Sequence, residues 1–88
     1  MKKYKNKTKK VFLEKYNFGD KVEIFEGMHY YYSAWASEHG LLPGTGRYFT
    51  KKEIGKFIKT SPDSGQLYNI IDVENELFEV FHKQIKKV

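Results

Sequence analysis

The stretch TKKEIGKFIK, residues 50–59, decides between the folds open to this sequence. Thr50 and Glu53 stand in the T-x-x-E spacing of a helix capping box. The apolar residues recur at the three- and four-residue spacing of one helix face. They are Ile54, Phe57 and Ile58. The stretch therefore predicts a helix that ends before the Ser-Pro pair at 61–62, although Gly55 weakens it by about 1 kcal/mol relative to Ala.

The polar side of this predicted helix is cationic. Lys52, Lys56 and Lys59 follow the i, i+4, i+7 spacing and would form one exposed ridge. Such a ridge is typical either of a solvated helix face or of a surface that neutralises phosphates. We predict the second, a nucleic-acid-binding surface of seven residues. They are Arg47, Thr50, Lys51, Lys52, Lys56, Lys59 and the outward-pointing Tyr30.

An aromatic run, HYYYSAW at residues 29–35, predicts another helix, beginning near Gly27. One face of that helix would carry an apolar stripe that packs into the core. Its members are Met28, Tyr31, Tyr32, Trp35, Ala36 and His39. Gly40 and Pro43 provide the expected helix ending. The competing interpretation is a strand, because three consecutive tyrosines favour extended backbone.

Weaker patterns predict the remaining elements of the chain. A first helix is expected over residues 6–17 and a short strand at KVEIF, residues 21–25. The β-rich runs QLYNIID and LFEVF flank the polar DVENE turn at 72–76 and predict a C-terminal hairpin. The order is then helix, strand, helix, helix and hairpin.

Composition limits the class of protein. A chain of 88 residues makes one domain, here expected as a basic tail over residues 1–10 and a domain over 11–88. The net charge of +5 comes from six lysines in that tail, because the remainder carries ten basic against eleven acidic residues. The absence of cysteine and of an apolar membrane-length run predicts a soluble cytoplasmic protein. No catalytic, metal-binding or phosphate-loop spacing is present, so we expect no enzyme activity, metal or cofactor.

The chain also resembles a known family in three segments. VFLEKY, HYYYSAWASEHG and FTKKEIGKFIK, followed by a hairpin, are similar to the C-terminal winged-helix domain of primase-helicases of phages and plasmids. The resemblance is carried by packing residues over roughly residues 10–88. They are Phe12, Leu13, Glu14, Tyr31 or Tyr32, Trp35, Gly40, Phe49 and Ile54. It implies an α+β winged helix-turn-helix fold, with three helices and a C-terminal β-hairpin, and DNA binding in the replication of a phage or mobile element. The acidic DVENE tip departs from a DNA-contacting wing.

Two alternatives remain open from the sequence. FGDKVEIF, KKEIGKFIK, QLYNIID and LFEVF are compatible with four strands and HKQI with a helical turn, which resembles a small SH3-like β-barrel with a helical insertion. The near-neutral body and the acidic turn also fit a protein-protein interaction module that binds a host or replication protein. The oligomeric state does not follow from either reading.

Overall fold

One antiparallel sheet dominates the computed structural model, which describes residues 16–63 and 66–88. The strands are β1 (Lys21–Ile24), β2 (Gly27–Tyr31), β3 (Gly46–Phe49), β4 (Glu53–Asp63), β5 (Gln66–Val73), β6 (Glu76–Phe81) and β7 (Ile85–Lys87). Their order in the sheet is β3-β2-β6-β5-β4-β1-β7. The short helix α1 (Ser33–Glu38) interrupts the connection from β2 to β3, and a 3-10 helix (His82–Gln84) precedes β7.

The predicted winged helix is wrong. The stretch at residues 50–59 enters β4 at Glu53 and continues as a strand to Asp63. Ile54, which a helix would bury with Phe57, is 52% exposed on the outer face of the sheet. Glu53 does not cap a helix and instead lies 3.8 Å from the Arg47 guanidinium. The three-helix arrangement and the recognition helix at its centre are therefore absent from the described part of the chain.

A β-bulge explains why residues of β4 that share one face follow the spacing of a helix in the sequence. The pairing of β4 with β5 shifts between Phe57 and Lys59, so Ile58 is an extra residue in the strand. Lys56 and Lys59 consequently lie on the same face although three positions separate them, whereas a regular strand alternates faces at every residue. Gly55 is required where two strands approach closely, because a Cβ there would lie 2.5 Å from Ile71 Cγ2.

The predicted aromatic helix divides into two elements. Gly27–Tyr31 is strand β2 and only Ser33–Glu38 is helical, so the strand propensity of the tyrosines prevails in the first half. The predicted stripe is mostly not core, since Ala36 alone among its members is buried and Met28 and His39 are exposed. The chain does leave the helix at Gly40, which has a φ of 73°.

Strand β1 and the C-terminal hairpin lie where the sequence predicts them. Glu74 and Asn75 both have positive φ, 52° and 71°, as the central residues of a tight hairpin turn require. Asn75 N donates to Asp72 Oδ1 at 2.9 Å and fixes that turn. The first helix, predicted over residues 6–17, falls almost entirely outside the described residues.

The strands of the alternative reading are present, together with a 3-10 helix at HKQ. The hydrogen-bonded strands do not close into a ring, however. Strand β3 pairs with β2 alone at one edge of the sheet, and β7 pairs with β1 alone at the other. No pairing between these two edge strands is seen in residues 16–63 and 66–88. The observed fold is thus an open seven-stranded sheet.

Alternation along the strands produces the hydrophobic core. The inner face carries a continuous cluster of buried side chains. Its members are Val22, Ile24, Phe49, Phe57, Ile71, Val73, Phe78, Val80 and Ile85. Tyr16 and Tyr31 pack against its ends, and Tyr16 stacks on Phe57 with ring centres 5.5 Å apart. Among the described residues, no helix has the length and apolar character that crossing a membrane needs.

Candidate functional site

A cleft opens where strand β2 leaves strand β6. The two strands pair at Tyr30 with Glu79 and at Tyr31 with Phe78, whereas the start of β2 pairs only with β3 among the described strands. Gly27, with a φ of 136°, turns the chain from β1 into this diverging segment. The result is a shallow cleft of about 380 Å³ between β2, the β5–β6 pair and the 3-10 helix.

Apolar and aromatic side chains converge on this cleft. Met28 and Tyr30 come from the outer face of β2, Tyr68 from β5 and Phe81 from β6. Tyr30 is 51% exposed, and the Tyr68 and Phe81 rings lie 5.9 Å apart in a tilted arrangement. Side chains of this type dominate the energetics of protein interfaces. We call this surface the aromatic cleft.

Because Gly46 has no side chain, the Met28 side chain can lie against its backbone. A Cβ on Gly46 would lie 2.8 Å from Met28 Cε and would collide with the His29 carbonyl oxygen. Real Cβ atoms do not approach other atoms so closely, so only glycine fits. Gly46 therefore sets the position of Met28 at one end of the aromatic cleft.

His29 lines the cleft, and its side chain anchors β2 from the inner face of the sheet. Its side chain is buried, and its Nε2 lies 2.8 Å from the carbonyl oxygen of Phe25, an acceptor that makes Nε2 the donor. The imidazole meets the Phe49 ring edge-on, with ring centres 4.9 Å apart. These contacts join the β1–β2 turn to β3, so the diverging part of β2 is held in place.

The charge of the aromatic cleft is opposite to that of the whole chain. Glu26 contributes an exposed carboxylate to its lining. No lysine or arginine of the described residues lines it, although the chain has a net charge of +5. The cleft therefore favours a cationic ligand and disfavours phosphate.

Arg47, predicted to contact nucleic acid, packs against two rings of the core while about 35% of its side chain remains exposed. Its guanidinium carbon lies 4.7 Å from the Phe49 ring centre and 5.3 Å from that of Phe78. Glu53 and Glu76 flank it at 3.8 and 3.7 Å. Its Nε and Nη2 atoms are buried, and neither has a hydrogen-bond partner among the described residues. The two rings and the two carboxylates offset the charge of Arg47, although two of its donors are left without a hydrogen bond, and these contacts give Arg47 a structural role.

A stack of rings attaches α1 to the sheet beside Arg47. Tyr31 lies between Phe78 and Trp35, at ring-centre distances of 4.7 and 5.0 Å, and Trp35 in turn stacks on His39 at 3.9 Å. The Tyr31 hydroxyl donates to Glu76 Oε1 at 3.4 Å. Burial raises the pKa of this hydroxyl, the Glu76 carboxylate raises it further, and Arg47 opposes both effects.

The structure brings together only part of the predicted nucleic-acid surface. Lys52, Lys56 and Lys59 are exposed in or next to β4 and share its outer face. Thr50 and Lys51 lie in the exposed segment before β4, and Tyr30 belongs to the aromatic cleft. Arg47 lines one shallow depression with Lys51 and Lys52, while its guanidinium also packs on the Phe49 ring.

Sequence reasoning missed most of the aromatic cleft. Met28 is interpreted from the sequence as a core residue, and Tyr68 and Phe81 are simply strand residues. Tyr68 and Phe81 are partners within the β5–β6 hairpin, and Met28 joins them through the pairing of β2 with β6, which is distant in the chain. The alternation of Met28 and Tyr30 around the buried His29 is the one local signal that would place both on an outer face.

Comparisons with known proteins do not extend this description. No family model, no curated protein and no solved structure matches the chain. The candidate function therefore depends on the geometry and charge of the surfaces described above.

Proposed function

We propose that the protein is a protein-protein interaction module that binds an extended, positively charged segment of a partner protein in the aromatic cleft. The convergence of Met28, Tyr30, Tyr68 and Phe81 beside the carboxylate of Glu26 is the observation that carries this proposal. It follows the alternative function raised from the sequence, because the recognition helix that supported a DNA-binding reading is a strand.

The physical basis is a match between cleft and ligand chemistry. Aromatic rings and a methionine offer adaptable apolar contact to extended chains, as in the aromatic grooves that receive proline-rich segments. The aliphatic stems of lysine or arginine pack on such rings while their charged ends reach carboxylates. Glu26 at the rim is exposed and available for that role. A segment with alternating proline and basic residues fits both features.

The partner class is a host or replication protein that presents such a segment in the cytoplasm. The chain lacks cysteine, which is typical of proteins in a reducing compartment. The cleft is shallow, so we expect weak binding, with a dissociation constant on the order of micromolar or above.

Peptide titration followed by NMR tests the proposal. Isotope-labelled full-length protein is titrated with a ten-residue peptide of alternating proline and lysine, and with a second peptide in which glutamate replaces lysine. We expect amide shifts at Met28, Tyr30, Tyr68 and Phe81 with the basic peptide alone. Equal shifts from the acidic peptide, or shifts located elsewhere, would refute the assignment.

Two matched pairs of variants refine this test. Tyr30→Ala should weaken binding of the basic peptide by roughly fivefold or more, since it removes a central interface ring. Tyr48→Ala is its control, because Tyr48 is 65% exposed on the neighbouring strand and does not line the cleft. Glu26→Lys should weaken binding, whereas Glu38→Lys on the exposed face of α1 should not. A cleft role is excluded if each pair behaves alike.

A further inference from the structure

The bulge in β4 collects lysines on a second surface, distinct from the aromatic cleft. Lys56 and Lys59 lie on the outer face of β4, and Lys21 of β1 stands directly opposite Lys56. Lys52 precedes β4 and is exposed next to the end of β1. We call these four residues, Lys21, Lys52, Lys56 and Lys59, the lysine face. None of them lines the aromatic cleft.

Neighbouring carboxylates neutralise only part of the charge of the lysine face. Within the part of the chain that the structure describes, no carboxylate forms an ion pair with any of its four lysines. Glu23, on the same face, pairs with Lys86 at 3.8 Å. Asp72, opposite Lys56, accepts a hydrogen bond from Asn75 N and keeps its negative charge, so it offsets part of the charge of the four lysines. The face therefore presents a surplus of positive charge to solvent.

Aromatic rings accompany three of these lysines. The ammonium of Lys52 lies 5.7 Å from the Phe25 ring centre, that of Lys56 lies 5.7 Å from Phe18, and that of Lys59 lies 5.3 Å from Tyr32. Phe18 is the most open of these rings, with 71% of its surface exposed. A lone solvated lysine patch has no need of such rings, so their repetition along the face points to a ligand with both anionic and flat groups.

We infer that the lysine face binds single-stranded nucleic acid. Phosphates of a flexible strand would lie at the lysines while unpaired bases stack on Phe18 and its neighbouring rings, a combination that needs no base-specific hydrogen bonds. A duplex keeps the faces of its bases stacked internally, so it would use the lysines but not the rings. The inference concerns an open strand surface and does not depend on a helix entering a groove.

Fluorescence anisotropy with labelled oligonucleotides tests this inference. The probes are a twelve-nucleotide single strand and the corresponding duplex, each titrated with full-length protein at several salt concentrations. Tighter binding of the single strand is expected, with an affinity that falls as salt rises. Absence of binding, or a preference for the duplex, would overturn the inference.

Variants separate the lysine face from the rest of the molecule. Each phosphate neutralised on a single strand contributes roughly 0.7 to the slope of log affinity against log salt. The triple variant Lys52→Gln, Lys56→Gln and Lys59→Gln removes three such contacts and should therefore reduce the magnitude of that slope by about 2. Lys83→Gln, an exposed change in the 3-10 helix, should leave affinity nearly unchanged. An unaltered slope in the triple variant would locate binding elsewhere, for example in the basic residues 1–10, and would overturn the inference.

The ring contribution has its own control. Phe18→Ala should weaken single-strand binding by roughly fivefold or more and leave duplex binding unchanged. Leu42→Ala, a truncation of another exposed apolar residue, should have no effect on either. If Phe18→Ala acts equally on both probes, or on neither, base stacking at this site is refuted. Because Tyr30 lies outside the lysine face, Tyr30→Ala should keep full nucleic-acid affinity even if the aromatic cleft binds no peptide.

Discussion

The Arg47 guanidinium lies 4.7 Å from the centre of the Phe49 ring, two residues along the same strand. This contact replaces hydration for a cation whose Nε and Nη2 are shielded from solvent. The carboxylates of Glu53 and Glu76 complete its surroundings. The position is therefore a stabilising one, and a substitution there should affect folding before it affects any ligand.

Arg47→Ala should lower the free energy of unfolding by about 1–3 kcal/mol, because it exposes two rings and leaves two carboxylates uncompensated. Arg47→Lys should recover only part of the loss, since an ammonium cannot stack in the same manner. Urea denaturation measures both variants. Lys51→Ala serves as the control, because Lys51 is exposed and close to Arg47 in the sequence. If all three variants have the same free energy of unfolding, Arg47 has no structural role.

Tyr31 predicts a specific loss of stability in alkaline solution. Its pKa is raised in the folded state by burial and by Glu76, so the unfolded chain releases the proton at lower pH than the folded one. The protonated Tyr31 hydroxyl therefore contributes to the free energy of unfolding below the ordinary tyrosine pKa of about 10, and this contribution is lost as pH rises above that value. Urea denaturation between pH 8 and pH 11 should show a shallower decline for Tyr31→Phe than for the unaltered chain. Parallel declines would mean that Tyr31 titrates normally.

Gly55→Ala should destabilise the fold by about 1–3 kcal/mol, because the added methyl group meets the core residue Ile71 and the backbone of Asp72. Gly46→Ala should cost at least as much, since the obstructing atom is a backbone oxygen of His29 that cannot rotate away. Thermal denaturation followed by circular dichroism gives the comparison. Ser37→Ala on the exposed side of α1 should change stability by less than about 0.5 kcal/mol. Neutral glycine variants would show that strands β3 and β4 pack less closely than described.

Phe78 should be the most sensitive aromatic position. It is fully buried and contacts the rings of Phe49 and Tyr31. Phe78→Ala should cost about 3–5 kcal/mol, enough to unfold a small domain, while Phe78→Leu should cost about 1–2 kcal/mol and remain folded. Phe18→Ala, at an exposed ring, should retain the stability of the unaltered chain. Chemical denaturation of the three variants tests this order, and a large loss in Phe18→Ala would show that its ring is structural.

Local sequence patterns correctly predict the strands in which buried and exposed residues alternate regularly. Val22 and Ile24 in β1, and the turn at Glu74 and Asn75, lie where the sequence predicts them. The segment from Gly27 to Glu38 combines strand-favouring tyrosines with a helix ending at Gly40, and the chain uses both signals in succession. Periodicity alone does not show where one signal gives way to the other.

The failure at residues 50–59 has a specific cause. The spacing of Ile54, Phe57 and Ile58 fits a helix, but here one residue faces solvent, one the core, and one occupies a bulge. Gly55 weakens the helix prediction, but its cost in a helix is too small to decide the matter. Its role in the close approach of β4 to Ile71 is visible only in the structure. The aromatic cleft was beyond prediction because Tyr68 and Phe81 join Met28 only through long-range strand pairing.

The single extra residue in β4 is accommodated without changing which side chains face the core. Phe57 and Lys59 pair with the consecutive residues Ile71 and Ile70, so Ile58 has no partner of its own in β5. Deleting Ile58 would leave Phe57 facing the core and Lys59 facing solvent in ordinary alternation, and the β4–β5 hairpin would keep its register. Codon loss at this point should therefore be tolerated better than codon loss within a regular part of β5, where it would exchange inside for outside along the rest of the strand.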